Sequence, residues 1–328
     1  MSGLVSVIMP VFNGAFFLPA TLQSVSNQKY SNWELVIVDD CSTDGSQDIC
    51  SRFKELHQQN CIILQSDRNQ SGAGTCRNIG LRHCTGDYII FLDSDDLLES
   101  FCLEQRINAI GKHDLAIFKQ YTFTSEVNSN LPIFNGPESN RPEAISAFIR
   151  MEAPWQTMAG IWKKETLQKL KGFDESLVFM EDPDLHLRAL LDRDLKIIFC
   201  YNLPADNYYR INNMQSEKEY SFYKNSIISR IIFLDKLMVL IKHLPPLEKL
   251  ENTKHIRKGY LSFLRDFVIA RFNDFKDDIL QLNHRLNDAG ILSMSDKLKL
   301  NFLFSIYISN SPIVKQTRLK GLAYRLIK

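Results

Sequence analysis

The sequence predicts an α/β chain, with a mostly parallel sheet flanked by helices and a mainly helical region after it. Three observations carry this. Short apolar runs at residues 5–9, 35–38, 62–64 and 88–92 have the length and the Val/Ile content of buried strands. The intervals between them show helical spacing: Thr21, Leu22 and Val25; Ile49, Phe53 and Leu56; Ile79 with Leu81. Strands separated by single helices imply right-handed crossovers and parallel pairing.

The first run, Leu4-Val5-Ser6-Val7-Ile8-Met9-Pro10, has no basic segment before it, so it reads as a strand and not as a signal peptide. It leads into Val11-Phe12-Asn13-Gly14. The second run leads into Asp39-Asp40-Cys41-Ser42 and the third into Gln65-Ser66-Asp67. The fourth, Tyr88-Ile89-Ile90-Phe91-Leu92, follows the turn-like Thr85-Gly86-Asp87 and ends in Asp93-Ser94-Asp95-Asp96. A further strand is expected at 114–118. Ligands of such sheets bind beyond the carboxyl ends of the strands, so one rim gathers the candidate chemistry. The same residues also suit strand-to-helix caps, with Ser42, Thr43 or Asp44 expected to cap the second helix. On an extended chain Asp93 and Asp95 point one way and Ser94 the other. Two hard oxygen donors on one side suit Mg²⁺ or Mn²⁺, and that cation suits a diphosphate. No G-x-G-x-x-G follows the first strand, and Ser71-Gly72-Ala73-Gly74 lacks the lysine of a phosphate loop.

Residues 121–215 are less regular. The stretch 128–140 holds two prolines and a glycine and reads as a mobile loop. Phe179-Met180-Glu181-Asp182-Pro183-Asp184 leads into Leu185, Leu187, Ala189 and Leu190. Asp182 fits an N-cap, Pro183 the first helical position and Asp184 the helix dipole. A capping carboxylate held at a helix start can also serve as a base. Residues 216–328 read as helical: Ile227, Ile228, Ile231, Ile232, Leu234, Leu237, Leu240 and Ile241 form an apolar face, broken at Pro245-Pro246. From residue 301 onward Lys315, Arg318, Lys320, Arg325 and Lys328 occur without an acid. They read as a solvated basic face, or as an interfacial helix meeting anionic lipid.

Composition narrows the class. Hydrophobic residues make up 45% and charged ones 23%, which excludes a disordered chain. A net charge of +1 gives no pull toward nucleic acid. The cysteine count, 7, is odd and no C-x-x-C occurs, so reduced thiols in a cytoplasmic protein are expected, not a disulfide frame or zinc site. No apolar run approaches the roughly 20 residues of a membrane span.

Five segments together carry a resemblance: Val5-Ser6-Val7-Ile8-Met9-Pro10-Val11-Phe12-Asn13, Trp33 through Asp44, Gly74-Thr75-Cys76-Arg77-Asn78-Ile79-Gly80, Gly86 through Asp96, and Glu181-Asp182. In order and spacing the chain resembles glycosyltransferase family 2, inverting enzymes of the GT-A fold and here of the bacterial surface-glycan type. The likeness covers about residues 4–213. It implies a nucleotide-sugar-binding and catalytic domain over 1–215, with a donor half to about 120 and an acceptor half over 121–215. The helical region 216–328 lies outside it, with an acceptor or membrane-surface role open.

By the same resemblance Pro10, Phe12 and Asn13 lie beside the nucleotide. Asp40 meets uracil, and Arg77 lies near the nucleotide sugar. Asp93, Ser94 and Asp95 hold ribose and metal, with Asp95 the direct ligand of Mn²⁺ or Mg²⁺. Asp182 is the catalytic base, supported by Glu181. The implied reaction moves a hexose or N-acetylhexosamine from a UDP-sugar to a glycan hydroxyl in lipopolysaccharide, O-antigen or capsule assembly. A lipid-linked acceptor suits the basic C-terminal segment, with the protein expected to be cytoplasmic or peripheral at the inner face of the membrane.

Two departures stand out. Many relatives place a histidine after the E-D helix, whereas this chain reads Tyr208-Tyr209-Arg210-Ile211-Asn212-Asn213-Met214, which leaves Arg210 as a candidate for the diphosphate. His186, on the E-D helix, reads as surface or structural. The Q-x-x-R-W motif of processive synthases is absent. A nucleotidyltransferase and a non-catalytic nucleotide-sugar-binding protein remain as alternatives.

Overall fold

The computed structural model describes residues 3–67, 71–124, 127, 134, 140–211, 220–308 and 325–326, with residue 270 in its backbone alone. The loop expected at 128–140, apart from residues 134 and 140, and the terminal basic residues other than Arg325 lie outside the described residues. The chain divides into two units, Met1–Ile145 with Ala153–Lys218, and Ser146–Glu152 with Glu219–Lys328. The short segment Ser146–Glu152 thus groups with the helices and not with its sequence neighbours.

The first unit alternates as its periodicity demands: β1 (Val5–Val11), α1 (Leu18–Ser26), β2 (Trp33–Asp39), α2 (Ser46–Leu56), β3 (Cys61–Gln65), α3 (Ala73–His83) and β4 (Tyr88–Phe91). Then follow β5 (Leu97–Leu98), α4 (Cys102–Ile110), β6 (Leu115–Ile117), β7 (Tyr121–Phe123), α5 (Arg141–Ile149), β8 (Gly160–Lys163), α6 (Lys164–Lys169), α7 (Glu181–Leu191), β9 (Ile197–Phe199) and β10 (Asn207–Arg210). The main sheet runs β3-β2-β1-β4-β8-β6-β9, and a small one runs β5-β10-β7. β1, β2, β3 and β4 pair in parallel, with Ile8 opposite both Val36 and Phe91. Every residue of β2 is buried, so the strand reads as a continuous apolar run and not as an alternation.

β8 is the exception in direction. It lies antiparallel between β4 and β6, with Tyr88 opposite Lys163 and Ile89 opposite Trp162. As β4 advances toward its carboxyl end, β8 is therefore read backwards toward Gly160 and the short turn Thr157–Ala159 that precedes it. This brings Thr157 to the ligand rim of the sheet.

Two local expectations need correction. Leu56 is 80% exposed; Cys50 and Phe53 form the buried face of α2. The N-cap of α2 is Gly45, whose φ of +93° favours glycine, and not Ser42, Thr43 or Asp44. Ser42 and Thr43 turn to the loop after β1, while Asp44 serves both sides, its Oδ2 accepting Ala15 N and its Oδ1 accepting Ser46 N at 3.1 Å.

At the opposite edge, Ser6 Oγ donates to buried Glu34 at 2.5 Å, and Thr85 N and Gly86 N donate to the same carboxylate at 2.5 and 3.0 Å. These bonds hold the Glu34 carboxyl below its usual range against the upward push of burial. A Cβ on Gly86 would lie 2.5 Å from Ser6 Oγ and 2.7 Å from Leu4 O. A backbone oxygen cannot move aside, so Gly86→Ala should lose about 1–3 kcal/mol, read as a lower melting temperature.

The second unit holds α8 (Tyr220–Lys242), α9 (Pro246–Phe263), a π turn (Leu264–Val268), a 3₁₀ segment (Ile269–Asp274), α10 (Lys276–Asp288) and α11 (Met294–Ile308). Ile227, Ile231, Leu234, Leu237 and Ile241 are the buried stripe of α8, and α9 opens with proline in its first turn. The seven cysteines are free and six are buried. Among the described residues no helix is long and apolar enough to cross a membrane.

Candidate active site

The rim at the carboxyl ends of β1–β4 is knitted by short bonds. Asn13, at φ +48°, accepts Thr43 N at 2.8 Å and gives its own N–H to Ser42 Oγ at 3.0 Å. Gly14 N donates to Ser46 Oγ and Ala15 N to Asp44 Oδ2. A Cβ on Gly14 would come within 3.0 Å of Ser94 Oγ, so glycine lets the first loop meet the D-S-D segment. Pro10 is half-buried at the rim and Phe12 is exposed there. Asp40 is buried and accepts Ser71 N at 2.9 Å and Gly72 N at 3.0 Å. It ties the glycine-rich segment down at the start of α3.

Arg77, on α3, is the centre. Its side chain is 2% exposed. Nη2 donates to Asp93 Oδ1 at 2.6 Å, and Nη1 donates to Glu181 Oε1 at 3.1 Å and Asp182 Oδ1 at 3.2 Å. One guanidinium thus joins the end of β4 to the start of α7, segments about ninety residues apart in sequence. The neighbouring Asn78 is buried, accepts Phe173 N at 2.9 Å, and donates to Phe173 O at 2.9 Å and Glu175 Oε1 at 3.0 Å. That contact fixes the Gly172-Phe173-Asp174-Glu175 segment and sets the Phe173 ring 5.3 Å from the Arg77 guanidinium. Sequence reading gave Asn78 no role; the signal lay in its adjacency to Arg77 and in the glycine-bounded segment downstream.

The strand-alternation argument for Asp93 and Asp95 does not hold. β4 ends at Phe91, and residues 93–96 form a turn closed by Asp96 N to Asp93 O at 3.2 Å. The carboxylates still gather. Burial, then the charge of Asp93, raises Asp95 to about 6. Burial raises Asp96 well above the carboxylate range, with Asp93 and Asp95 adding to it. Asp96 Oδ1 accepts Arg210 N at 2.7 Å.

Arg210 Nε donates to Asp95 O at 2.7 Å and Nη1 to Thr124 O at 3.1 Å, and its face lies between the rings of Phe17 and Phe123. It braces the acidic turn. Tyr209, which sequence reading missed, lies among these groups; burial, then Asp96, Asp93, Asp95 and Asp182, push it up to about 12.

The cap expected at Asp182 is not formed. The N-cap of α7 is Met180 at φ +69°, and Glu181 and Asp182 are already helical. Their side chains, each 13% exposed, face Arg77. Asp182 Oδ2 also accepts Thr157 N at 3.2 Å. Burial and then the Asp182 charge raise Glu181 to about 7, against the pull of Arg77; burial also raises Asp182. His186 is structural and not on the surface: it is buried near Trp155 and Trp162, its Nδ1 is 2.9 Å from Asp182 O, and burial lowers it to about 3.

Among the described residues no three His, Cys, Asp or Glu side chains converge closely enough to cage a metal alone. The acidic turn fits a cation of another kind. Asp93, Asp95, Glu181 and Asp182 lie around two guanidinium groups, Arg77 and Arg210, so negative charge is in excess once the raised Asp95 and Glu181 carboxyls ionise. A magnesium-like ion held by one or two carboxylates and completed by phosphate oxygens matches that set.

Residues 6–164 match the family model for glycosyl transferase family 2. The chain carries a family 2 glycosyltransferase domain. This domain is 35% identical over 138 residues to TuaG of Bacillus subtilis, covering 42% of this chain and 54% of that protein. It is 38% identical over 114 residues to the Escherichia coli UDP-Glc:alpha-D-GlcNAc-diphosphoundecaprenol beta-1,3-glucosyltransferase WfgD, covering 34% and 43%. The chain thus spans about half the length of these relatives. The crystal structure of S. aureus TarS 1-349 in complex with UDP-GlcNAc superposes with a TM-score of 0.65 at 20% identity, covering 98% of this chain and 90% of that one. That likeness establishes the GT-A-type fold of the family 2 domain.

Proposed function

We propose that the protein is an inverting, metal-dependent glycosyltransferase that moves a hexose or N-acetylhexosamine from a UDP-sugar to a hydroxyl of a bacterial surface glycan. The carrying observation is the Arg77 fork, which holds the acidic turn and the E-D pair in one hydrogen-bonded set. Displacing a nucleoside diphosphate leaves negative charge on phosphate while the acceptor hydroxyl loses a proton. The two demands call for a cation on one side and a carboxylate on the other.

In this reading Asp95, with Asp93, would hold Mn²⁺ or Mg²⁺, which supplies charge stabilisation to the leaving diphosphate. Asp182 accepts the acceptor proton. Thr157 N and Arg77 fix its orientation, and Glu181 supports it. Exposed Phe12, with Pro10 and Asn13, faces the nucleotide, and Asp40 addresses uracil through the lone pairs left free by Ser71 N and Gly72 N. The nucleotide named in the TarS complex and the donor and lipid-linked acceptor named for WfgD support UDP and a membrane-anchored acceptor, which would place the reaction at the inner membrane face.

Two features count against the alternatives. In the loop after β1 the amides of Asn13, Gly14 and Ala15 already serve side chains of the β2 loop, which leaves no cradle for a nucleotidyltransferase's triphosphate. The E-D carboxylates are not helix caps, so the capping account of them does not apply.

The test is a panel of nucleotide sugars assayed for Mn²⁺-dependent hydrolysis. One UDP-sugar should be turned over, and Asp95→Asn should abolish the metal-dependent rate. Unchanged turnover in Asp95→Asn would remove the cation from the scheme.

A further inference from the structure

Within the helical unit lies a cavity of about 200 Å³, lined by Arg150, Arg230, Gly259, Ser262, Arg265 and Phe267 among others. Its three guanidinium groups are not alike. Arg150 Nε pairs with Glu152 at 2.7 Å, and Arg265 pairs with Asp266 through two bonds of 2.7 Å. Arg230, on α8, has no carboxylate partner among the described residues. Its Nη1 donates to Ser226 O at 3.0 Å and to Ser226 Oγ, and its face stacks 4.0 Å from the Phe267 ring centroid. Nε and Nη2 find no acceptor among the described residues. Burial moves Arg230 down to about 10, with no neighbouring charge opposing it. Arg230 is half-buried, and a partly desolvated cation without a counter-charge favours an anionic partner.

The surrounding backbone is built for close approach. The wall includes the π turn Leu264–Val268, a widened helical turn of the kind that concentrates at functional sites. A Cβ on Gly259 would lie 3.0 Å from Ile149 O and 3.1 Å from Arg150 Cα, so glycine lets the segment carrying Arg150 lie against α9.

We infer that this cavity binds a phosphoryl group, a phosphate monoester or diester anion, gripped by the Nε/Nη2 fork of Arg230 and flanked by Arg150 and Arg265. A planar fork matches two oxygens of such an anion, and three guanidinium groups against two carboxylates leave the lining cationic. The site is distinct from the donor rim, which belongs to the other unit.

Two measurements on the full-length chain test this. Crystals soaked in tungstate should show the ion within hydrogen-bond reach of Arg230. Calorimetry with inorganic phosphate and glycerol phosphate, in EDTA and on an Asp95→Asn background to silence the donor site, should give saturable binding. R230Q should weaken that binding by about tenfold or more, as loss of a charge-assisted fork predicts, with R230K in between. Flotation on phosphatidylcholine vesicles with and without phosphatidylglycerol separates the sources. Retention on the anionic vesicles that R230Q abolishes assigns a lipid headgroup; binding of soluble glycerol phosphate without such retention assigns a soluble phosphate ester. No tungstate at Arg230 in the unaltered chain, or unchanged phosphate affinity in R230Q that circular dichroism shows to be folded, overturns the site. Should R230Q fail to fold, the tungstate soak alone decides.

Discussion

Arg77→Met should cost the fold about 3–5 kcal/mol, the usual penalty for removing one partner of a buried ionic group. Turnover should fall further than the loss of folded protein explains. Arg77 is the shared cation of Asp93, Glu181 and Asp182, and with it gone three carboxylates face one another across the end of the sheet. The penalty should be larger at pH 8 than at pH 5.5, because protonation relieves the repulsion that Arg77 normally offsets. Arg77→Lys should recover part of the stability and little of the rate, since an ammonium cannot hold three oxygens in fixed directions. Thermal melts at the two pH values, alongside single-turnover rates, check this. A methionine variant as stable as the parent at pH 8 would show that the guanidinium does not organise the site.

Asp182→Asn should leave donor binding near its parent value and lower kcat by at least about 10²-fold, the range lost with a general base. Glu181→Gln should be milder; if it proves far worse, the base is Glu181. Because the pair interacts, its titration belongs to both groups. With Glu181 at about 7, the rate should fall as pH drops through neutrality, and the limb should move or vanish in Asp182→Asn. Stability runs the other way. Between the ordinary glutamate value of 4.5 and about 7 the folded chain holds a proton that the unfolded chain releases, so this group makes the fold less stable as pH rises through that window. Opposite slopes of rate and melting temperature between pH 5 and 8 are a signature that a surface carboxylate would not give.

Much of the fold was legible because β1, β2 and β4 are almost wholly buried and leave unbroken apolar runs. That Asp93, Arg77, Glu181 and Asp182 would share one rim was legible as well. Their wiring was not. The pleat argument failed because β4 stops at Phe91 and the chain turns before Asp93. The cap argument failed because Met180 takes the left-handed conformation and moves the helix start ahead of Glu181. The Arg77 fork joins contacts 16, 104 and 105 residues apart, and no local pattern records them. For the same reason Ser146–Glu152 could not be assigned from sequence to the helical unit.

The reversed strand β8 has an evolutionary consequence. Because it enters the sheet from the ligand side, a main-chain amide at its threshold, and not a side chain, steadies the oxygen of Asp182. Main-chain amides survive almost any substitution. Side-chain changes in the loop before β8 therefore leave this hold on the Asp182 carboxylate in place.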